Sequence, residues 1–242
     1  MDTQRPHDAT PTPAEVPVAV YTTADCTVAD LAATRPKALR VLHRHGIDFC
    51  CGGRRTVAEA CERAGVSADQ LLAEVAELEA SEPADERWDT APLGELIDHI
   101  IDRHHRPLDD ELPRLLQMAH RVVQVHGHKQ PDRLPALFET VLALRDDLLP
   151  HMHKEEAILF PWMRSGRGAD AQSPVRVMLY EHEAVGELLE KLRALTDGYT
   201  APPGACATWR GLFQGLSELD EDLRLHIHLE NNVLFPRALQ AG

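Results

Sequence analysis

A chain of 242 residues has room for one large domain or two unequal ones, and its 43% hydrophobic and 26% charged residues are those of an ordinary water-soluble protein. A net charge of −14 argues against nucleic acid or an anionic membrane as partner, because phosphate recognition draws on Lys and Arg. No apolar run is long enough to span a bilayer, and five cysteines, one pair adjacent, make no disulfide framework, which points to the reducing cytoplasm.

Residues 1–24, rich in Pro, Thr and Ala, read as a disordered tail without the basic start and apolar stretch of a signal peptide. Residues 25–80 read as a small helical unit. Thr27-Val-Ala-Asp30, Thr56-Val-Ala-Glu59 and Ser67-Ala-Asp-Gln70 each resemble a capping box ahead of an apolar-periodic stretch. Pro36 is expected in the first turn of a further helix over 36–45 that stops at Gly46. Between two helices of this unit lies Asp48-Phe49-Cys50-Cys51-Gly52-Gly53-Arg54-Arg55. Gly52 and Gly53 permit unusual backbone angles, while Arg54, Arg55 and the positive end of the helix capped by Thr56 favour thiolate. Cys50 and Cys51 are therefore expected as an exposed, low-pKa pair suited to redox exchange or to carrying a soft metal. The bland alternative is a pair of small buried packing residues. Cys26, Cys61 and Cys206 are isolated and read as packing residues.

Residues 81–91 read as a linker, and residues 92–242 hold four long helical patterns. Helix A is expected over 93–125, with Pro107 and Pro113 placed to bend it. Helix B is expected over 134–163, helix C over 174–196, and helix D from 207 to the end. Turns at 127–131, 165–173 and 197–204 join them, and such short connections imply an antiparallel four-helix bundle in an all-α protein.

Within the bundle one stretch is written twice. His151-Met-His-Lys-Glu155-Glu-Ala-Ile-Leu-Phe-Pro161 recurs 75 residues later as His226-Ile-His-Leu-Glu230-Asn-Asn-Val-Leu-Phe-Pro236. Four helical residues turn by about 400°, so the His and Glu of each copy leave one face a turn apart. His105 precedes His151 by 46 residues, and His182 precedes His226 by 44. In an up-down hairpin each chain climbs about 20 residues, or about 30 Å, and its partner returns as far. Each half then brings one lone His and one His-x-x-x-Glu pair to a common depth, and the two halves together supply His105, His151, Glu155, His182, His226 and Glu230.

An isolated His-x-x-x-Glu is commonly an exposed helix pair. Two copies, each followed by the same apolar run and each preceded at matched distance by another His, are not. Six such groups exceed the four a structural zinc takes, and they suit two octahedral ions. If both carboxylates bridge, each ion receives two imidazoles and two carboxylate oxygens. An oxo or hydroxo bridge adds a fifth ligand and leaves one position open. Two irons are the first choice and manganese the second. His126 and His128, beside the A–B turn, read as surface residues. His104, His153 and His228 neighbour ligands but are expected on other faces, with the repeat pair His153 and His228 as candidate supports. Asp147 and Glu181 read as supporting carboxylates or as part of a solvated face.

The segment Asp48-Phe-Cys-Cys-Gly-Gly53, followed by a bundle ending in His226-x-x-x-Glu230-Asn-Asn-Val-Leu-Phe-Pro236, resembles the repair-of-iron-centres di-iron family of the YtfE/ScdA type over about residues 27–240. The resemblance implies a small N-terminal helical domain joined to a hemerythrin-like bundle. It also implies an oxo-bridged di-iron centre, with Glu155 and Glu230 bridging and the four histidines terminal. The implied function is recovery of iron–sulfur clusters after nitrosative or oxidative stress, by iron donation or by reduction of nitric oxide to nitrous oxide. The competing readings are a hemerythrin-like carrier or sensor of dioxygen or nitric oxide, and an iron-buffering partner of damaged iron–sulfur proteins.

Overall fold

The computed structural model describes residues 23–83 and 85–240, so the tail expected over 1–24 lies outside the described residues apart from Thr23 and Ala24. Among the described residues the protein is all-α. Their one extended pairing is an isolated antiparallel bridge between Thr27 and Thr56, and none of the described helices is long and apolar enough to cross a membrane.

The small unit contains α1 (Val28–Thr34), α2 (Lys37–Arg44), α3 (Val57–Ala64) and α4 (Ala68–Ser81). Its caps follow the residues read from the sequence, but only Thr56 forms a reciprocal box. There Glu59 N–H donates to Thr56 Oγ1 and Thr56 N–H donates to Glu59 Oε2. Thr27 and Ser67 each accept one amide and receive nothing back from the third residue's side chain to their own N–H. Pro36 stands just before α2, whose end is marked by Gly46 at φ +66°, a value that suits glycine. Leu31, Val41, Leu42, Leu71 and Val75 are fully buried, each stabilising the unit by roughly 1.5–3 kcal/mol.

Each long helix of the bundle is now defined. Helix A comprises α5 (Leu93–Ile100), a π-helical turn (Ile101–His105) and α6 (Arg106–His126). Helix B comprises α7 (Arg133–Lys154), a π-turn (Glu155–Leu159) and α8 (Phe160–Arg164). Helix C is α9 (Gln172–Leu195), and helix D comprises α10 (Ala207–His228), a π-turn (Leu229–Leu234) and α11 (Phe235–Gln240). At one end Arg133 of helix B pairs with Asp197 just past helix C, and His126 of helix A meets Trp209 of helix D. At the other end Arg164 of helix B pairs with Asp98 of helix A, and Gly168 just before helix C packs against Ala238 of helix D. Successive helices therefore run antiparallel.

The three π-turns share a sequence feature. Pro107, Pro161 and Pro236 each stand two residues beyond the last π-helical residue. A helical proline donates no N–H and crowds the carbonyl four residues back. Widening the preceding turn relieves that crowding. Arg106, Phe160 and Phe235 accordingly donate to carbonyls five residues back, those of Ile101, Glu155 and Glu230. Pro113 and Pro150 lie inside α-helical stretches, so proline permits the wide turn without dictating it. The expected bend of helix A is thus a local π-turn, and it ends on His105.

A polar layer divides the bundle core. Leu148, Met152, Val185, Leu223 and Ile227 belong to an apolar cluster that continues into the small unit. Ile100, Leu159, Phe160, Met178, Val233 and Phe235 belong to a second cluster at the π-turn end. Below the layer, Asp220 is fully buried, accepting from Arg224 Nε at 2.8 Å and Arg193 Nη2 at 2.7 Å, with His43 of α2 at 3.8 Å. Burial works against its charge, but His43 and the two guanidiniums hold its carboxyl down at about 2. One carboxylate thereby ties the small unit to helices C and D.

Replacing Asp220 by Ala leaves Arg224 without its buried counter-charge and should cost about 3–5 kcal/mol in urea denaturation. Because the native pKa lies below that of the unfolded chain, the contribution is complete above about pH 4 and is lost as pH falls through about 2, which acid titration of the unfolding midpoint will show.

Candidate metal centre

The polar layer contains all six residues read from the repeat. His105, His151, His182, His226, Glu155 and Glu230 are each at most 2% exposed. They form two groups, His105–Glu155–His226–Glu230 and His151–Glu155–His182–Glu230, whose ligand atoms lie within 4.8 Å of one another. Both carboxylates belong to both groups. Each group takes one histidine from each half of the repeat, so neither half alone encloses a site.

The distances suit a cation. Glu155 Oε2 is 3.2 Å from His151 Nε2 and 3.6 Å from His105 Nε2. Glu230 Oε1 is 3.1 Å from His226 Nε2 and 3.7 Å from His105 Nε2, and its Oε2 is 3.2 Å from His182 Nε2. His105 and His226 bring their Nε2 atoms to 3.0 Å, as do His151 and His182. Atoms about 2.1 Å from a shared ion and at right angles to each other stand about 3.0 Å apart. None of the four carboxylate oxygens accepts a well-aligned hydrogen bond, although all are buried. A buried carboxylate in that condition is costly unless a cation satisfies it.

The surrounding residues settle which nitrogens face inward. His151 Nδ1 donates to Glu181 Oε2 at 2.8 Å, and His182 Nδ1 donates to Asn231 Oδ1 at 2.7 Å. Both Nδ1 hydrogens are committed, so in the neutral rings two Nε2 lone pairs oppose each other across 3.0 Å. Only a proton or a metal ion relieves that opposition. His105 Nδ1 likewise pairs with Glu156 Oε1 at 2.8 Å. Burial disfavours a charged His151, yet Glu155, Glu230 and Glu181 raise its pKa to about 9. His105 is raised too, against burial, chiefly by Glu230. Glu230 is held well below the usual carboxylate range by the histidines despite its burial, whereas burial leaves His226 lowered.

Relatives support the same chemistry. The Hemerythrin HHE cation binding domain family matches residues 96–238, and a domain of unknown function, DUF542, matches residues 24–79. Iron-sulfur cluster repair proteins YtfE from Escherichia coli O1:K1, Escherichia coli strain SMS-3-5 and Escherichia fergusonii are each 43% identical over 215 residues, covering 89% of this chain and 97% of theirs. The chain belongs to the YtfE-type family of hemerythrin-domain proteins. The hemerythrin segment contains the whole buried cluster and is the metal-binding part of the molecule.

Several supports of the hemerythrin site were not read from the sequence, although the repeat encodes them. The residue after each shared carboxylate, Glu156 or Asn231, holds Nδ1 of the lone histidine in the same half. The Phe of each Leu-Phe-Pro covers that histidine's ring, Phe160 over His105 at 5.7 Å and Phe235 over His182 at 6.1 Å. Glu181, one of the two carboxylates weighed as supports, binds His151 and Lys154, while Asp147 is exposed. His153 is exposed and His228 buried, so the repeat pair divides. Burial pulls His228 down to about 4, and it packs edge-on to Phe49. His104 does not face away as expected but stacks on His226 at 5.4 Å. His126 and His128 lie at the far end of the bundle, beside the A–B connection.

The cysteine loop of the DUF542 segment docks on this site, but not as an exposed thiolate pair. Cys50 is 2% exposed, and its thiol is pushed well above the ordinary range by its contact with Cys51 Sγ at 3.7 Å, by burial and by Asp48. The Asp48 carboxylate occupies the cradle of N–H groups that a thiolate would need, accepting from the amides of Cys50, Cys51 and Gly52 at 2.8–3.0 Å. Neither Gly52 nor Gly53 has positive φ. They serve close approach instead: a Cβ on Gly52 would lie 2.8 Å from Asp48 Oδ2, and one on Gly53 3.0 Å from Ala29 Cβ. Cys51 is partly exposed and sets its Sγ 3.5 Å from the carbonyl oxygen of His182. Asn231 donates to the Cys50 carbonyl at 3.2 Å while accepting from His182, and Asn232 donates to the Phe49 carbonyl at 3.0 Å. The first repeat has Glu156-Ala157 where the second has Asn231-Asn232, and that departure marks the docking face. Cys26 and Cys61 are buried as expected of packing residues. Cys206 is exposed, 3.3 Å from His126 Nε2, because it precedes α10 at the bundle's end.

Since a raised His151 holds a proton that a metal must displace, loading the metal-free protein should release protons. Its apparent metal affinity should climb with pH until about 9 and then flatten, as titration calorimetry across pH will show.

Proposed function

We propose that this chain is a cytoplasmic dinuclear iron protein that repairs iron–sulfur clusters damaged by nitrosative or oxidative stress. His105 and His226 would hold one iron and His151 and His182 the other, with Glu155 and Glu230 within reach of both. The observation that carries this reading is the membership of both buried carboxylates in both ligand groups. Four neutral imidazoles and two carboxylates suit iron, with manganese second, and leave room for an oxo or hydroxo bridge. When bound, such an iron pair supplies one-electron redox change and open positions for nitric oxide or dioxygen.

The chain's own residues set the conditions for that chemistry. Glu181, Glu156 and Asn231 fix the Nδ1 hydrogens of three histidines, so their Nε2 lone pairs point inward. Phe160 and Phe235 cover ring faces and exclude water. Residues 25–80 form the cysteine domain, 81–91 the linker and 92–242 the bundle domain in this scheme. The relatives' role in cluster repair supports damaged iron–sulfur proteins as clients that receive iron as cargo. Cys51, partly exposed with its Sγ 3.5 Å from the His182 carbonyl, would pass iron or electrons between the site and a client, with the buried Cys50 behind it. A carrier or sensor of dioxygen or nitric oxide would need only the bundle. The hydrogen bonds from Asn231 and Asn232 to the cysteine loop favour a function that uses both parts.

Wild-type protein should carry two irons per chain by metal analysis and Mössbauer spectroscopy, while Glu155→Ala and Glu230→Ala each lose both and His226→Ala loses mainly one. Loaded with labelled iron, the wild type should transfer label to a nitric-oxide-damaged cluster enzyme, and the Cys50→Ala/Cys51→Ala double variant should transfer little. Unchanged transfer and unchanged nitric oxide consumption in that variant would remove the cysteines from the mechanism.

A further inference from the structure

A cavity of about 560 Å³ lies where the small unit, the segment after α4 and helix D meet. Its interior is mainly apolar, with Leu39, Phe49, Leu225 and Val233 among the lining, and Trp88 and His99 form part of its wall. From that wall a file of rings leads inward. Trp88 stacks on His99 with centroids 4.1 Å apart, His99 meets His104 edge-on at 5.6 Å, and His104 stacks on His226 at 5.4 Å with the rings 8° from parallel. His226 Nε2 lies in the buried ligand group, 3.1 Å from Glu230 Oε1. Two members of the file are pinned: Arg237 donates to the Trp88 carbonyl at 2.7 Å, and His104 Nδ1 pairs with Asp222 at 2.9 Å.

The repeat argues that His104 is not there merely to orient a ligand. The residue before the lone histidine in the second half is Glu181, which hydrogen-bonds to His151. Its counterpart in the first half is His104, which makes no hydrogen bond to His226 but lays its ring on it. His226 Nδ1 and His104 Nε2 are both buried without a hydrogen-bond partner. Symmetry is broken in favour of ring contact on the side of the site that leads to this cavity.

We propose that this cavity admits a small planar aromatic one-electron carrier and that Trp88, His99 and His104 form its tunnelling route to the iron held by His226. The inference rests on the dinuclear iron reading above. Tunnelling falls off exponentially with the gap crossed, and rings in contact leave no wide gap. One electron leaves the carrier, which becomes its one-electron oxidised form, and one ferric ion becomes ferrous. A second carrier reduces the second iron. The rings conduct without being oxidised or reduced. Asp85, Glu86 and Glu221 line the cavity; Asp85 is paired with Lys37 at 3.7 Å and the cavity's arginine, Arg40, with Glu82 at 2.7 Å, which leaves the carboxylates of Glu86 and Glu221 to set its charge. The charge favours a neutral or cationic carrier over a phosphate-bearing one.

Reduced methyl viologen, a planar cationic carrier, is the probe. Stopped-flow bleaching of the iron-loaded, full-length protein gives the limiting reduction rate. In Trp88→Leu and His99→Leu it should fall by an order of magnitude, while iron content and Mössbauer parameters stay those of the wild type. His99→Phe, which restores a ring, should recover most of the rate. With metal-free protein, oxidised viologen should quench a component of tryptophan fluorescence that is missing in Trp88→Phe. Unchanged rates in the two Leu variants at normal iron content, or no quenching specific to Trp88, would overturn the route and leave the iron reading intact. A wild-type chain that binds no iron would instead sink the iron reading and the route with it.

Discussion

Two carboxylates buried among four imidazoles are the constraint on which the rest of the molecule turns. Glu155 and Glu230 sit in the middle of a helix bundle, cut off from water and without aligned hydrogen-bond donors. Removing two such charges from water is expensive in any protein and needs a compensating cation. The metal-free protein meets that demand partly by drawing protons onto His151 and His105. The same raised proton affinity is what a metal must overcome. Stability, proton binding and metal binding are therefore one linked equilibrium centred on this layer.

The backbone answers the same demand. A regular α-helix would carry each His-x-x-x-Glu face past the centre at a fixed angle. The π-turns that include Glu155 and Glu230, and the one that ends on His105, re-aim those side chains within a single turn. Proline two residues beyond each turn, with no N–H to give the α-helical ladder, permits the wide hydrogen bond. Helix C has no π-turn, and His182 relies instead on Asn231 and Phe235 for its orientation.

The cysteine loop is attached to this layer by polar contacts. Asn231 touches the loop through one end of its amide and His182 through the other, so a shift of the loop is felt at the site. Farther down, Asp220 does similar work through His43, Arg193 and Arg224. The small unit is thus locked to the face of helices C and D that carries the second copy of the repeat. Asn231 and Asn232 are where that copy departs from the first.

The amino-acid sequence alone determined the helices, their order, the two repeats and the six polar groups that meet, because apolar periodicity and i, i+4 spacing are local properties of a helix. It also carried the family resemblance that the relatives bear out. Only the tertiary structure decided which histidines face each other, which neighbour holds each ring nitrogen, and that His104 stacks on His226. Those facts depend on residues far apart in the chain meeting across helices. The thiol pair shows the limit most plainly. Arg54 and Arg55 suggest thiolate from sequence proximity, but the contact with Cys51, burial and the Asp48 carboxylate raise the Cys50 pKa instead. Electrostatics follows distance and desolvation in space, and neither is written in the order of residues.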